Sequence, residues 1–212
     1  MRLVVLGATG GTGRALVRRA LALGHHVTAA VRDPGRLPVR HDDLDVRTPD
    51  FADPEGMAEL LRGEDAVLSA LGPRGRRDAG VVAPLTGVLA SAAGLAGTRR
   101  LLVVSASPVG DAPADESPAH RLLVTPLVRR VFRTVYADLA AAERLLAGSP
   151  GLDWTVVRPP RLLDGPGTGE YRVRIGGSLP RATSIDRADV ARAMLSFITD
   201  ERTFRQVVGI AR

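Results

Sequence analysis

Three glycines near the start of the chain have the spacing of a phosphate-binding turn. Gly7, Gly10 and Gly13 follow the apolar run Leu3–Leu6 and overlap the start of Gly11–Leu23, a segment with apolar residues at helical intervals. In a strand–turn–helix of this kind, one glycine forms the turn, one lets the backbone approach a diphosphate, and one lets helix and strand pack closely. The free N–H groups at the helix start then attract the anion. The pattern therefore predicts a dinucleotide site.

The end of the second predicted strand indicates which dinucleotide is bound. His26–Val31 is followed by Arg32 and, one short turn later, by Arg36. NAD-binding proteins usually place an acidic residue here for the ribose hydroxyls, whereas a guanidinium can hold a 2′-phosphate with paired hydrogen bonds. We therefore predict NADP(H). Asp33 is the alternative, because its carboxylate would serve a ribose if the strand ended one residue later.

Two further strand ends are expected to line the cofactor. Asp50 and Phe51 follow the third predicted strand, where a carboxylate can accept a hydrogen bond from the adenine amino group and a side chain can cover the ring. The other interpretation of Asp50 is a capped turn. Ala70, Leu71 and Gly72 end the fourth predicted strand, where small residues let the cofactor pass.

Strand-like and helix-like segments alternate along the chain, which predicts a parallel sheet with helices on both faces. The predicted strands are Leu3–Leu6, His26–Val31, Leu44–Arg47, Asp65–Leu71, Leu101–Ser105, Trp154–Arg158 and, at the sheet edge, Gln206–Ile210. The predicted helices are Gly11–Leu23, Pro54–Arg62, Val81–Leu95, Thr134–Leu146 and Asp186–Thr199. The fold class is therefore α/β: one domain over residues 1–212, a doubly wound parallel sheet with a small C-terminal extension on the substrate side.

Two irregular stretches are expected to form the substrate side. Residues 106–133 are rich in Pro, Asp and Ser near their start, and residues 159–185 contain a glycine-rich part. They follow the fifth and sixth predicted strands. Open α/β sheets bind ligands outside the carboxyl ends of their strands, so both stretches are placed to contact a substrate.

The composition excludes several kinds of chemistry. Cysteine, lysine and asparagine are all absent, which excludes disulfides, thiolate metal sites, a cysteine nucleophile, a Schiff-base lysine and a Walker lysine. The formal net charge of +6 suits anionic ligands. The arginines are scattered without an aromatic platform, so no nucleic-acid partner is expected. No metal-ligand cluster, signal peptide or membrane span is predicted, and we expect a cytoplasmic protein.

Seven segments carry a resemblance to a known family over nearly the whole chain. They are GATGGTG at 7–13, VRDPGRL at 31–37, DAVLSALGPRG at 65–75, LLVVSAS at 101–107, GLDWTVVRPPRL at 151–162, GEYRV at 169–173 and SIDRADVARAML at 184–195. Together they resemble the atypical short-chain dehydrogenase/reductases with an NAD(P)-binding, NmrA-like Rossmann fold. Within these, the chain is most similar to the biliverdin reductase B/flavin reductase group.

The resemblance implies a set of cofactor contacts. It implies NADPH, with Arg32 and Arg36 at the 2′-phosphate and with Ser105 and Pro159 beside the nicotinamide. Either Ser105 or Ser107 could face the nicotinamide amide or the substrate. The residues that would line the phosphates are those of the first turn: Thr9, Gly10, Gly11, Thr12 and Gly13.

The chain departs from the usual short-chain dehydrogenase pattern at its proton donor. Most of these enzymes use a Tyr and, four residues later, a Lys. Tyr136 lies on the appropriate predicted helix, but Ala140 stands where the Lys would be, and the chain has no lysine at all. Without a nearby cation, Tyr136 is expected to be a poor base near neutral pH. Asp138 on the same helix is expected to face either the pocket or, preferably, solvent.

A second departure concerns the acceptor. The flavin and biliverdin reductases often carry a His after the double proline, where this chain has Arg161. An arginine cannot shuttle a proton, but it can bind a carboxylate, phosphate or developing oxyanion. Arg161 therefore favours an anionic or quinoid substrate over biliverdin. Arg74 is expected to border the same pocket, and His120 is a further candidate to reach it.

The sequence thus predicts an NADPH-dependent oxidoreductase that lacks the Tyr–Lys pair. It would transfer hydride to a small conjugated acceptor such as a flavin, a quinone or a related aromatic or polyketide-like compound, whose protons can come from water. Ser105, Ser107, Tyr136 and Arg161 are the candidate catalytic residues. One alternative is a non-catalytic, NmrA-like sensor of NADP(H), and a less favoured one is an NAD(P)-dependent epimerase or dehydratase. We predict a monomer.

Overall fold

The computed structural model describes residues 1–72, 80–110, 113, 115–117, 122 and 125–212. Within these ranges the strands are β1 (Arg2–Leu6), β2 (His26–Ala30), β3 (Leu44–Arg47), β4 (Ala66–Ser69), β5 (Arg100–Val104), β6 (Asp153–Arg158), β7 (Arg161–Leu163), β8 (Arg172–Ile175), β9 (Ser184–Asp186) and β10 (Gln206–Ala211). The α-helices are α1 (Gly11–Ala22), α2 (Pro54–Leu61), α3 (Val82–Ala96), α4 (Thr125–Val131), α5 (Arg133–Ala147) and α6 (Arg187–Phe197).

The main sheet has the strand order β3–β2–β1–β4–β5–β6–β10–β8 among the described strands. Every neighbouring pair is parallel except β10 and β8. The central strands are short apolar runs because both faces of a parallel sheet are buried. The predicted α/β fold with a doubly wound parallel sheet is confirmed by this order.

Successive residues of β1 pack into two different layers. Leu3 and Val5 belong to the apolar cluster on the side of α1 and α6, whereas Val4 and Leu6 belong to the cluster on the side of α2, α3 and α5. This division follows from the two-residue period of a strand. The sheet therefore lies between two helical layers, which hold its strand ends in fixed positions.

The prediction that Gln206–Ile210 forms an edge strand is wrong. β10 lies between β6, which it pairs with in parallel, and β8, which it pairs with in antiparallel. β8 is not among the predicted strands: its alternation of Arg with Val or Ile is typical of a strand, but it spans only four residues and all four are exposed. The short strands β7 and β9, which were also not predicted, pair with each other outside the main sheet.

The strand order reverses between β1 and β4, so the connections after these two strands leave in opposite directions. Such a switch point creates a crevice at the carboxyl ends of the strands. The two substrate-side stretches leave the carboxyl ends of β5 and β6, at the same edge of the sheet. Across the described residues, no helix is both long and apolar enough to cross a lipid bilayer.

Candidate functional site

The turn between β1 and α1 has the geometry that a close backbone approach requires. Gly7 has φ +73°, and a Cβ there would lie 2.6 Å from the carbonyl oxygen of Ala70. A Cβ at Gly13 would overlap the carbonyl oxygen of Gly7. The Gly10 N–H donates to that same oxygen over 2.9 Å. The glycines at 7 and 13 are therefore needed for the packing of the turn, which leaves the start of α1 open to an anion.

A cleft of about 780 Å³ opens beside this turn. Its walls come from the carboxyl ends of β1, β2 and β4, from Phe51 after β3, and from the start of α3. Its size and its glycine-rich floor fit a dinucleotide. The predicted cofactor residues that line it are Gly7, Thr9, Gly10, Arg32, Arg36, Phe51, Ala70, Leu71 and Gly72.

Other predicted cofactor residues lie outside this lining. Thr12 and Gly13 are buried in the first turn of α1, and Gly11 begins that helix. Asp50 is exposed, and its carboxylate accepts the Ala52 N–H over 2.8 Å. Asp50 therefore has the geometry of a turn cap, the second of the two interpretations of its role.

Three charged residues, Arg32, Asp33 and Arg36, follow the end of β2. Asp33 accepts the Gly35 N–H over 3.0 Å, at the start of a short 3₁₀-helix. Arg32, Asp33 and Arg36 are all exposed and all line the cleft. One carboxylate oxygen of Asp33 thus caps the short helix, whereas no hydrogen bond within the described part of the chain engages the guanidinium groups of Arg32 and Arg36.

A second cavity, of about 640 Å³, lies at the carboxyl ends of β5 and β6. Its walls are mainly apolar, and the aromatic rings of Phe132 and Tyr136 lie 5.9 Å apart at 52°. Burial raises the pKa of the Tyr136 hydroxyl, which is thus protonated at neutral pH. Polar groups come from Ser107, Glu116 and the exposed Arg161, and Pro159 also lines the wall.

Ser105 belongs to a buried network rather than to the wall of this cavity. Its hydroxyl donates to a carboxylate oxygen of Glu143 over 2.5 Å. The Arg158 guanidinium donates hydrogen bonds to both oxygens of the same carboxylate, one of them from Nε over 3.0 Å. The side chains of Glu143 and Arg158 are each 12% exposed. Of the two candidate serines, Ser107 is the one that lines the cavity.

Sequence reasoning did not predict the pairing of Glu143 with Arg158. Both residues are charged and lie in otherwise apolar contexts, Glu143 on the buried side of α5 and Arg158 at the end of a core strand. Buried charges are usually paired, so these two residues could have been matched as partners. The sequence alone did not show that their two elements meet.

The position of Asp138 also differs from both expectations. Its carboxylate is buried and accepts the backbone N–H groups of Gly80, Val82 and Ala83 over 2.9–3.0 Å. These are N–H groups at the start of α3. Asp138 therefore caps a neighbouring helix instead of facing pocket or solvent. Arg74 and His120, the two other candidates near the cavity, lie outside the described residues.

Comparison with known proteins identifies the kind of site. The family model described as NAD(P)H-binding matches residues 7–201. The 3-diazoavenalumate denitrifying reductase of a Streptomyces species is 35% identical over 192 residues, which cover 81% of this chain and 59% of that protein.

Solved structures share the whole fold. SP1627 from Streptococcus pneumoniae TIGR4, a proposed NADH-flavin reductase, is 27% identical with a TM-score of 0.81, covering 100% of this chain and 99% of that one. A wide-type short-chain dehydrogenase/reductase from Veillonella parvula in complex with NADP is 20% identical with a TM-score of 0.82, covering 100% and 94% of the two chains. The latter likeness concerns the fold alone. The glycine turn, the cleft and the matched residues together show that this chain belongs to the NAD(P)H-binding family of oxidoreductase-like Rossmann proteins.

Proposed function

We propose that the protein is an NADPH-dependent reductase of a small conjugated acceptor that is anionic or quinoid. The observation that carries the proposal is the apolar cavity at the carboxyl ends of β5 and β6, with Arg161 on its wall. The dinucleotide cleft ends at β4, the strand next to β5. A cofactor with its adenosine at the end of β2 would extend along the sheet edge toward this cavity.

The choice of NADPH rests on the end of β2. Arg32 and Arg36 can bind a 2′-phosphate with charge-assisted hydrogen bonds, whereas Asp33, which also lines the cleft, has one carboxylate oxygen engaged by the Gly35 N–H. A carboxylate used for a local turn is less available to the ribose hydroxyls. These contacts support a preference for NADPH over NADH.

The cavity residues suit an acceptor that needs no strong acid or base from the protein. NADPH supplies the hydride when it is bound. Phe132 and Tyr136 offer aromatic surface to a planar ring, and the protonated Tyr136 hydroxyl can donate a hydrogen bond. Arg161 can bind an anionic group or an oxygen on which negative charge develops. Reduced flavins and quinones can take their protons from water, so the absence of lysine is tolerated.

The test is NADPH oxidation, followed by absorbance, with FMN, a neutral quinone and biliverdin as acceptors, beside titrations with NADPH and NADH. We expect turnover with FMN or the quinone, and tighter binding of NADPH than of NADH. Arg161→Ala should lower kcat/KM for FMN by about tenfold or more, since it removes a charged hydrogen-bond donor. The neutral quinone should be affected less.

Arg18→Ala is the matched control, because Arg18 is exposed on α1 and lines neither pocket. It removes the same charge and should leave both rates unchanged. Tight NADPH binding without oxidation in the presence of any acceptor would overturn the proposal and support a cofactor-binding regulator instead.

A further inference from the structure

Arg187, the first residue of α6, lies directly against the phosphate-binding turn. A Cβ placed on Gly11 would come within 2.7 Å of its Cδ and 2.8 Å of its Nε. Gly11 is the first residue of α1. The absence of a side chain at Gly11 therefore creates the space that the Arg187 side chain occupies. Two helix starts, those of α1 and α6, meet at this point.

The present partner of Arg187 is weakly held. Its guanidinium donates to a carboxylate oxygen of Asp164 over 2.5 Å. The Asp164 side chain is 85% exposed, whereas that of Arg187 is 27% exposed. An ion pair with one partner in solvent contributes little, so another anion can replace Asp164 at small cost.

We propose that Arg187 binds the diphosphate of the dinucleotide and exchanges Asp164 for a phosphate oxygen when the cofactor enters. A diphosphate at the start of α1 would meet the backbone N–H groups of the first turn. A guanidinium beside Gly11 adds charged donors whose planar arrangement matches two phosphate oxygens. The inference rests on the family's NAD(P)H binding and is independent of which acceptor is reduced.

The exchange would also connect the cofactor to the substrate side. Asp164 precedes a glycine-rich turn whose backbone is fixed to residues on either side of Arg187. The Gly165 N–H donates to Asp186 over 3.1 Å, and the Gly169 N–H donates to Asp189 over 2.9 Å. Both aspartates are buried. Release of Asp164 would therefore leave its carboxylate unpaired beside a turn whose backbone stays fixed to the start of α6.

The test compares two ligands by direct titration of the unreacted protein. NADPH contains the diphosphate, whereas adenosine 2′-monophosphate contains only the adenosine end with its 2′-phosphate. Arg187→Ala should raise the Kd for NADPH about tenfold or more, the effect of losing a charged hydrogen bond, and leave the Kd for the monophosphate within about twofold. Asp164→Asn removes the competing charge and should lower the Kd for NADPH.

Arg192→Ala is the matched control. Arg192 lies on the same helix and also faces an aspartate, with its Nε 3.8 Å from Asp189, but it does not contact Gly11. It should leave the Kd for NADPH nearly unchanged. Unfolding temperatures of the unliganded variants identify any general loss of structure. An equal loss of affinity for both ligands in Arg187→Ala, or an unchanged affinity of that variant for NADPH, would overturn the proposal.

Discussion

Ser105, Glu143 and Arg158 form a network in which the donor and the acceptor of each hydrogen bond are determined. Because the Ser105 hydrogen is donated to Glu143, the lone pairs of the Ser105 oxygen remain as acceptors. Arg158 in turn holds the Glu143 carboxylate in one orientation. Ser105 is therefore suited to accept a further hydrogen bond rather than to donate a proton.

At the residue scale, we expect the pair of Glu143 and Arg158 to be strongly coupled. Glu143→Gln leaves a largely buried guanidinium without its counter-charge and should lower the free energy of unfolding by about 2 kcal/mol or more. Arg158→Met should be similarly costly, whereas the double variant should lose clearly less than the sum. Urea denaturation of the four proteins measures this coupling.

The pair of Arg99 and Asp153, in which Arg99 is exposed, provides the comparison. Its Nε–carboxylate distance is 3.2 Å, but the Arg99 side chain is 69% exposed. Arg99→Gln should therefore cost less than about 1 kcal/mol. Additive losses in the Glu143 and Arg158 variants would show that the two charges are not coupled.

At the scale of elements, α3 depends on α5 for its first turn. Its N-cap residue, Val81, makes no side-chain capping bond, and Asp138 from α5 accepts the N–H groups instead. The start of α3 lines the dinucleotide cleft, whereas Tyr136 on α5 lines the cavity at the carboxyl ends of β5 and β6. One carboxylate therefore fixes the helix that borders the dinucleotide cleft to the helix that borders the second cavity.

Replacing Asp138 should affect both stability and cofactor binding. Asp138→Asn keeps the shape, but its NH2 group cannot accept an N–H, so at least one of the three hydrogen bonds is lost, and we expect a loss of about 1–2 kcal/mol in the free energy of unfolding. It should also raise the Kd for NADPH. Asp53→Ala is the control, since Asp53 caps α2 locally through the Glu55 and Gly56 N–H groups. It should cost a similar amount without changing the Kd. If both variants bind NADPH equally well, the cap does not position the cleft.

At the scale of the molecule, the sequence predicts individual strands, helices and turns well, but it predicts poorly which of these elements contact one another. The apolar runs of β1, β2 and β4 to β6 and the glycines after β1 have local signatures, because burial on both faces demands apolar residues and a tight turn demands glycine. The partner of Glu143, the cap of α3 and the contact of Arg187 with Gly11 are set by elements far apart in the chain. Neither the local spacing of residues nor the amino-acid composition predicts such contacts.

The position of β10 links the formation of two strands. β8 has β10 as its strand partner in the described sheet, although about thirty residues separate them in the chain. Pairing across such a separation must first overcome the entropy of closing the intervening loop. β8 therefore has no ladder to join until β10 has docked against β6, and the two strands should open and close as one cooperative unit.

Hydrogen exchange measures this order of assembly. In Ile210→Ala, which removes buried side-chain volume from β10, the protected amides of both β10 and β8 should exchange faster by a similar factor, while those of β1 and β4 change less. Val5→Ala provides the reverse case, because a cavity beside the central strand should speed exchange throughout the sheet. Protection of β8 that persists when β10 is weakened would show that its order comes from the surrounding loops. Otherwise, the last strand in the sequence completes two ladders at once, and this edge of the sheet is the last to become resistant to exchange.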